Sequence, residues 1–200
     1  VIAVCDLDSN RVEDGKKVRE DEDQNGDGKP EVVTTFDGDT PLRREADTNA
    51  DGKKDTFVEF RAGKKASQQE DRDGDGDVDA RYAFDDEGRV TLEELDEDKD
   101  GRFEVVSASA QGVLQRRTHL APSGKPQRTE FFEQGKLVRS EVDENGDAQV
   151  DLWNWHQPDG SLARQEQDSD HDGRVDAWVE LDPATHKGKT VRRDTNRDGK

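Results

Sequence analysis

The feature that most constrains the fold is an acidic, glycine-punctuated phrase that recurs along most of the chain. Its clearest copy runs from Asp71 to Asp79, with carboxylates at 71, 73 and 75, a glycine at 76 and a further acid at 79. Alternate side chains converge only if the backbone wraps around a central point, and a glycine in the sixth place permits the sharp turn that this requires. Ca²⁺ prefers such converging carboxylate oxygens as ligands. The phrase therefore predicts a calcium loop.

Six complete copies, here called acidic loops 1 to 6, carry oxygen-bearing side chains in the first, third, fifth and ninth places. Acidic loop 5 has Ala148 instead of glycine in the sixth place, which makes it the weakest match. We expect the chain to bind about six Ca²⁺. The predicted ligands are Asp23, Asn25, Asp27 and Glu31 in loop 1; Asp47, Asn49, Asp51 and Asp55 in loop 2; Asp71, Asp73, Asp75 and Asp79 in loop 3; Asp96, Asp98, Asp100 and Glu104 in loop 4; Asp143, Asn145, Asp147 and Asp151 in loop 5; and Asp168, Asp170, Asp172 and Asp176 in loop 6.

The loops are regularly spaced. Successive first ligands are 24, 24, 25, 47 and 25 residues apart, so one copy is missing between loops 4 and 5. Its expected places keep the turn glycine but have lost every carboxylate, so we expect a hairpin there without metal. Those places hold His119, Ala121, Ser123, Gly124 and Gln127.

A seventh copy begins near the end of the sequence. Asp194, Asn196 and Asp198 occupy its first three ligand places. The ninth-place acid is missing, because the given sequence ends at Lys200. We expect the missing ligand to come either from an array that continues beyond Lys200 or from a neighbouring molecule. Completing this copy would add a seventh ion.

Short strand-like segments separate the loops. After each ninth-place acid come residues rich in β-branched and aromatic types, then a glycine turn, then a more polar strand such as 89–95 or 136–142. The sequence therefore predicts an all-β array over residues 1–200. It would contain about eight antiparallel hairpins of about 24 residues, in a meander, curled sheet or superhelix. The first strands are expected at residues 32–36, 56–60, 80–84, 105–109, 152–156 and 177–181.

Aligning these strands reveals one apolar column, here called the Phe column, at their fifth place. By the period-2 rule its residues share a face with those in the first and third places. Trp153, Trp155 and Trp178 are expected on the opposite face. The Phe column comprises Phe36, Phe60, Phe84, Phe132 and Leu181.

Composition makes the metal important for folding. Only 28% of the residues are hydrophobic, 40% are charged, and the net charge is −19, a balance that alone favours disorder. Six Ca²⁺ would change the net charge from −19 to −7. We therefore expect folding to depend on the ion. The acidic balance also argues against nucleic acid as a partner.

Two resemblances support a repeat protein. The phrase Phe84-Asp-Asp-Glu-Gly-Arg89, echoed at 131–136, resembles the tyrosine-aspartate hairpin repeats of bacterial surface and toxin-shell proteins. The acidic loops resemble the calcium loops of integrin α-subunit propellers and thrombospondin type 3 repeats. These resemblances imply a calcium-binding surface protein. The helix–loop–helix calcium fold is excluded because its twelfth-place glutamate is absent. Those places hold Thr34, Val58, Tyr82, Ser107, Asn154 and Val179.

The function predicted from these observations is a calcium-rigidified structural or adhesion module. Loops of this type bind Ca²⁺ with dissociation constants of about 10⁻⁴ to 10⁻³ M outside cells, which favours an extracellular, periplasmic or cell-surface location. The alternative is a non-catalytic carbohydrate-binding or partner-docking module that uses Trp153, Trp155 and Trp178 against a glycan or surface protein. An enzyme is not expected, because the closely spaced carboxylate pairs are explained mainly by the loop pattern and the four histidines are scattered. His171 is expected to be merely solvated.

The apolar stretch that ends at Cys5 has two interpretations. It is either an opening β-strand or the end of a bacterial lipoprotein signal in which Cys5 would carry a lipid anchor to the outer membrane. Valine at position 4 departs from the small residue usual before a lipidated cysteine, which favours the strand.

Overall fold

The computed structural model describes residues 9–185 and 187–194, and this part of the chain is all-β. The chain divides into two compact units, Val1–Phe103 and Glu104–Lys200. Each unit contains eight strands, and the predicted array of antiparallel hairpins is confirmed. The described residues contain no helix that could cross a membrane. The stretch that ends at Cys5, and the predicted ligands Asn196 and Asp198, lie outside the described residues.

The first unit is an antiparallel meander in which each strand pairs with the next along the chain. Its strands after loops 1 to 3 begin at the residues predicted from the sequence. The strands are β1 (Ser9–Glu13), β2 (Lys16–Glu22), β3 (Val32–Asp37), β4 (Thr40–Ala46), β5 (Thr56–Arg61), β6 (Lys64–Glu70), β7 (Ala80–Phe84) and β8 (Val90–Leu95).

The second unit repeats this arrangement. The hairpin expected at the missing loop is present, because β10 and β11 pair around a short turn at Ala121–Lys125. Gly188, the glycine at which the repeat pattern would place the last turn, begins β16 instead. The strands are β9 (Val105–Ala110), β10 (Val113–Leu120), β11 (Pro126–Glu133), β12 (Lys136–Val142), β13 (Leu152–His156), β14 (Leu162–Gln167), β15 (Ala177–Leu181) and β16 (Gly188–Arg193).

Each described hairpin carries one β-bulge beside its turn. In β3–β4, for example, Thr35 pairs with Arg43 but Phe36 pairs with Pro41, so Leu42 is the extra residue. The same shift occurs between Glu59 and Phe60 and at the equivalent place in the other hairpins. A bulge bends the strand and increases its right-handed twist. The Phe column therefore lies where each hairpin is most strongly twisted.

The small apolar core of each unit lies on the face that bears the Phe column. Val32, Val58, Ala80 and Val105 on this face are at most 9% exposed. Lysine side chains cover part of it, since Lys65 Nζ lies 4.2 Å from the centre of the Phe84 ring. Within each unit, every strand packs only against the strands next to it. The core is therefore thin and made of contacts between neighbouring repeats, as in other repeat proteins.

Backbone hydrogen bonds connect successive acidic loops within each unit. The N–H of a loop's first residue donates to the carbonyl of the preceding loop's ninth residue, as from Asp71 to Asp55 at 2.8 Å and from Asp168 to Asp151 at 2.7 Å. At the missing loop, Leu120 donates to Glu104 in the same way. This ladder sets the loops of a unit side by side along one edge of its sheet.

Candidate metal centres

All six acidic loops share one backbone conformation with two left-handed residues. The fourth and sixth places have positive φ angles, for example 80° at Gly74 and 107° at Gly76 in loop 3. The sequence pattern predicts the sixth-place turn. It does not predict the fourth, which is occupied by Ala50, Lys99 or His171 in three of the loops. The shared geometry brings the first and ninth places together in every loop that lies within one unit.

Ala148 in loop 5 adopts a φ of 76°, a conformation that is costly for a residue with a Cβ. We expect Ala148→Gly to stabilise the protein by about 1 kcal/mol, because glycine relieves this strain. Thermal or denaturant unfolding at fixed calcium measures the effect. The matched control is Gly28→Ala in loop 1, where φ is 91°, and this change should destabilise by a similar amount. No gain from Ala148→Gly would mean that the loop tolerates the strain.

Nine of the twelve first- and ninth-place acids are buried, which is unusual for carboxylates. Asp151 and Asp168 are each 1% exposed. Among the described residues, only Asp151 of these buried acids has an ion-pair partner, His171. A buried carboxylate without a counter-charge is costly. The buried acids of the loops are Asp23, Glu31, Asp47, Asp55, Asp79, Asp96, Asp143, Asp151 and Asp168.

Backbone N–H groups hold these carboxylates in place. In each loop, the sixth-place N–H donates to one oxygen of the first-place aspartate, at 2.8 Å from Gly28 to Asp23 and 2.7 Å from Gly173 to Asp168. The second-place N–H donates to the ninth-place acid in the loops within one unit, as from Thr48 to Asp55 at 2.8 Å. Each oxygen of the first-place aspartates Asp23 and Asp168 accepts one such bond and keeps a further lone pair, so these bonds orient the two acids and leave acceptor capacity.

The hydrogen bonds also favour the ionised form. Burial is the largest single influence on Asp55 and would raise its pKa, but bonds from Thr48, Thr56 and Asn49 together lower it. Such a carboxylate stays charged at neutral pH. Asp55 is therefore in the form that binds a cation.

Three loops bring the oxygens of three acids within 4.8 Å of one another. Acidic loop 4 extends across the division between the units, and within the first unit Asp96 accepts the N–H groups of Lys99 and Gly101. Acidic loops 2 and 5 have Asn49 and Asn145 in the third place, and so contain three acids each. The three groups are Asp23, Asp27 and Glu31; Asp71, Asp73 and Asp79; and Asp168, Asp170 and Asp176.

Basic side chains of one loop reach the acids of the preceding loop. Lys99 Nζ lies 2.8 Å from Asp73, and His171 Nδ1 lies 2.9 Å from Asp151. The expectation that His171 is merely solvated is therefore wrong. Its hydrogen bond to Asp151 raises the pKa of His171. Sequence analysis missed both contacts because they depend on how neighbouring loops stack.

Lys99 would compete with a bound cation for Asp73. Its hydrogen bond lowers the pKa of Asp73 and raises its own, and both side chains are partly exposed. Solvent screens an exposed pair of this kind, so it is weak. We expect Lys99→Gln to tighten calcium binding at loop 3 by up to about fivefold, as measured by calorimetry. Lys64→Gln beside the turn glycine Gly63 is the control, and an equal effect there would indicate a general charge effect.

The three tryptophans lie on the face opposite the Phe column, as predicted. Trp153 and Trp178 both pair with Glu166 of β14, one from each side. The guanidinium of Arg164 covers the Trp155 ring at 4.8 Å. Trp178 lines a cavity of about 240 Å³ together with Arg164, Glu180, Thr190 and Arg192. That these rings dock a partner stays a prediction.

Comparison with protein-family models gives no match, and comparison with curated proteins gives none either. Among solved structures, the chain is similar to the G117R mutant of S. aureus TarM in complex with fondaparinux, alpha-GlcNAc-glycerol and UDP. The identity is 12% and the TM-score 0.40, over 49% of this chain and 19% of that one. A GtfA/B complex is similar at 16% identity and a TM-score of 0.37, over 52% of this chain and 19% of that one. The chain thus spans about a fifth of these structures, and the likeness carries no functional argument.

Proposed function

We propose that this chain is a calcium-binding structural module in which each acidic loop holds one Ca²⁺ and thereby fixes two neighbouring hairpins. The observation that carries the proposal is the set of buried first- and ninth-place acids, of which only Asp151 forms an ion pair among the described residues, with His171. Burying an ionised carboxylate is costly unless it is paired or coordinates a metal. A bound cation would remove that cost in every loop.

The donor set favours calcium. Ca²⁺ takes six to eight oxygen ligands at about 2.3–2.6 Å, so ligand oxygens on opposite sides of the ion are about 4.6–5.2 Å apart. In loop 3, acid oxygens from Asp71, Asp73 and Asp79 lie within 4.8 Å of one another. Their carboxylates would supply the charged ligands, with Asp75 as a fourth. Soft metals are disfavoured because the loops contain no cysteine.

The thin core gives the ion its structural role. Strands within a unit pack only on their neighbours, and the buried apolar side chains are few. The loops join successive hairpins, so a filled loop would staple its two neighbours. We infer a spacer, scaffold or adhesion segment that works where calcium is abundant, at a cell surface or in an extracellular or periplasmic space.

Counting bound ions tests the proposal. Native mass spectrometry of the protein equilibrated with calcium is expected to find about six Ca²⁺, one for each complete acidic loop, and calorimetry should give the same number. An equal concentration of Mg²⁺ is the control and should bind more weakly, because Mg²⁺ demands a tighter octahedral site. Three ions or fewer would contradict the repeat interpretation.

A further inference from the structure

A cup on the face that bears the Phe column of the first unit is lined by two basic residues and no acidic one. It is about 310 Å³ in volume and is formed by β4, β5, β6 and acidic loop 2. We propose that this cup, here called the Arg44 cup, binds a uronic acid residue of an acidic polysaccharide. The proposal goes beyond the calcium function, and it places carbohydrate recognition away from the tryptophans.

The charge of the Arg44 cup points to an anion. Arg44 and Lys65 line it, and none of its lining residues is acidic, although the chain as a whole carries a net charge of −19. Among the described residues, neither cation forms an ion pair. Lys65 instead lies over the Phe84 ring, and burial lowers its pKa, against a smaller opposing effect of Glu70. An incoming carboxylate would give both cations a partner, and arginine can bind it through two parallel hydrogen bonds.

The polar groups of the Arg44 cup point to a hydroxylated ligand. The Thr48 and Thr56 hydroxyls donate to Asp55 at 2.9 and 3.0 Å, and the Gln68 amide donates to Glu70. Once these donors are used, the two hydroxyl oxygens and the Gln68 carbonyl are left as acceptors. The cup therefore combines two cationic donors with three acceptors. Such a set fits a ring that carries one carboxylate and several hydroxyl groups, which describes a uronic acid.

The floor of the Arg44 cup suits the apolar face of a sugar ring. Val58 lies at its centre, between Arg44 of β4 and Gln68 of β6, with Phe60 two residues along on the same face. Val58 is 9% exposed. The C–H face of a pyranose ring can pack on these side chains. An acidic peptide could also satisfy the two cations, and its backbone N–H groups could reach the acceptors, so competition with polyglutamate is part of the test.

The test measures binding of trigalacturonic acid to the full chain at saturating calcium by calorimetry. The control ligand is a neutral galactose trimer with the same linkage. We expect the acidic trimer to bind and the neutral trimer to bind at least about tenfold more weakly, since hydrogen bonds to charged groups contribute most of the discrimination. Equal binding of the two trimers, or no binding of the acidic one, would overturn the proposal.

Neighbouring residues of β4 provide matched variants. Arg44→Gln should weaken binding of trigalacturonic acid about tenfold. Arg43→Gln should leave it unchanged, because Arg43 lies on the opposite face and pairs with Glu45 and Glu59. Equal losses in the two variants would refute the site. Polyglutamate that displaces the trimer at the same carboxylate concentration would show that the occupant is an acidic peptide. An unchanged ion count in Arg44→Gln would separate this site from the calcium function.

Discussion

Excess chelator is expected to abolish the β-sheet signal of the calcium-loaded protein in circular dichroism and to expose the chain to protease. At about 10 mM calcium, a loop with a dissociation constant of about 10⁻⁴ M is stabilised by about 2.7 kcal/mol. Six such loops would contribute about 16 kcal/mol, which is as large as the whole stability of a typical domain. Removing the ions also leaves at least one buried acid without a cation in every loop, and two like-charged buried acids in loops 1, 2 and 5.

The control for this experiment is recovery. Returning calcium in excess of the chelator should restore both the spectrum and the protease resistance, whereas Mg²⁺ at the same concentration should restore less. A protein that keeps its sheet and resists protease in excess chelator would show that the thin apolar face is sufficient for folding. The ions would then have a role other than stability.

Replacing the first-place acid of one loop should produce the largest effect of any single substitution at the sites. Asp168 is 1% exposed and accepts the N–H groups of Asp172 and Gly173. Asp168→Ala removes a charged ligand and leaves both N–H groups without their acceptor. We expect the loss of one Ca²⁺ and a destabilisation of about 2–4 kcal/mol at fixed calcium. Native mass spectrometry and denaturant unfolding measure the two effects.

The matched control uses the same loop. Asp170→Asn places in the third position the residue that three other loops carry there, at Asn25, Asn49 and Asn145. This variant should keep the full ion count with a small loss of affinity. If Asp170→Asn loses the ion as completely as Asp168→Ala, charge alone governs binding. If Asp168→Ala keeps all the ions, the first place is not a ligand.

The hairpins could be predicted because their signals are local. Alternating apolar residues, a turn glycine and the acidic phrase recur in most periods, so strands such as β13 and β15 have the bounds predicted for them. The bulges could not be predicted, because the extra residue has no characteristic type: it is Leu42 in one hairpin and Thr91 in another. Nor did the sequence indicate the division into two units.

The acidic loops could be predicted as ligand sets, but their surroundings could not. The burial of Asp151 and Asp168 depends on how closely neighbouring loops lie. The ion pair between Lys99 and Asp73 joins residues 26 positions apart, and no local pattern marks it. The left-handed fourth place at Ala50 and Lys99 was missed because residues other than glycine and asparagine rarely signal this conformation.

The ladder of backbone hydrogen bonds between successive loops makes the hairpins interchangeable parts. Residues 47–70 form one complete period, because Asp47 and Asp71 hold the same place and donate the same bond to the ninth residue of the loop before. Removing or duplicating such a period would join equivalent residues and keep every side chain on its own face of the sheet. Each hairpin contributes two strands, so each period changes the width of the sheet by about 9.6 Å. Evolution could therefore change the width of such a sheet in fixed steps, by gaining or losing whole periods, and keep every strand–strand interface unchanged.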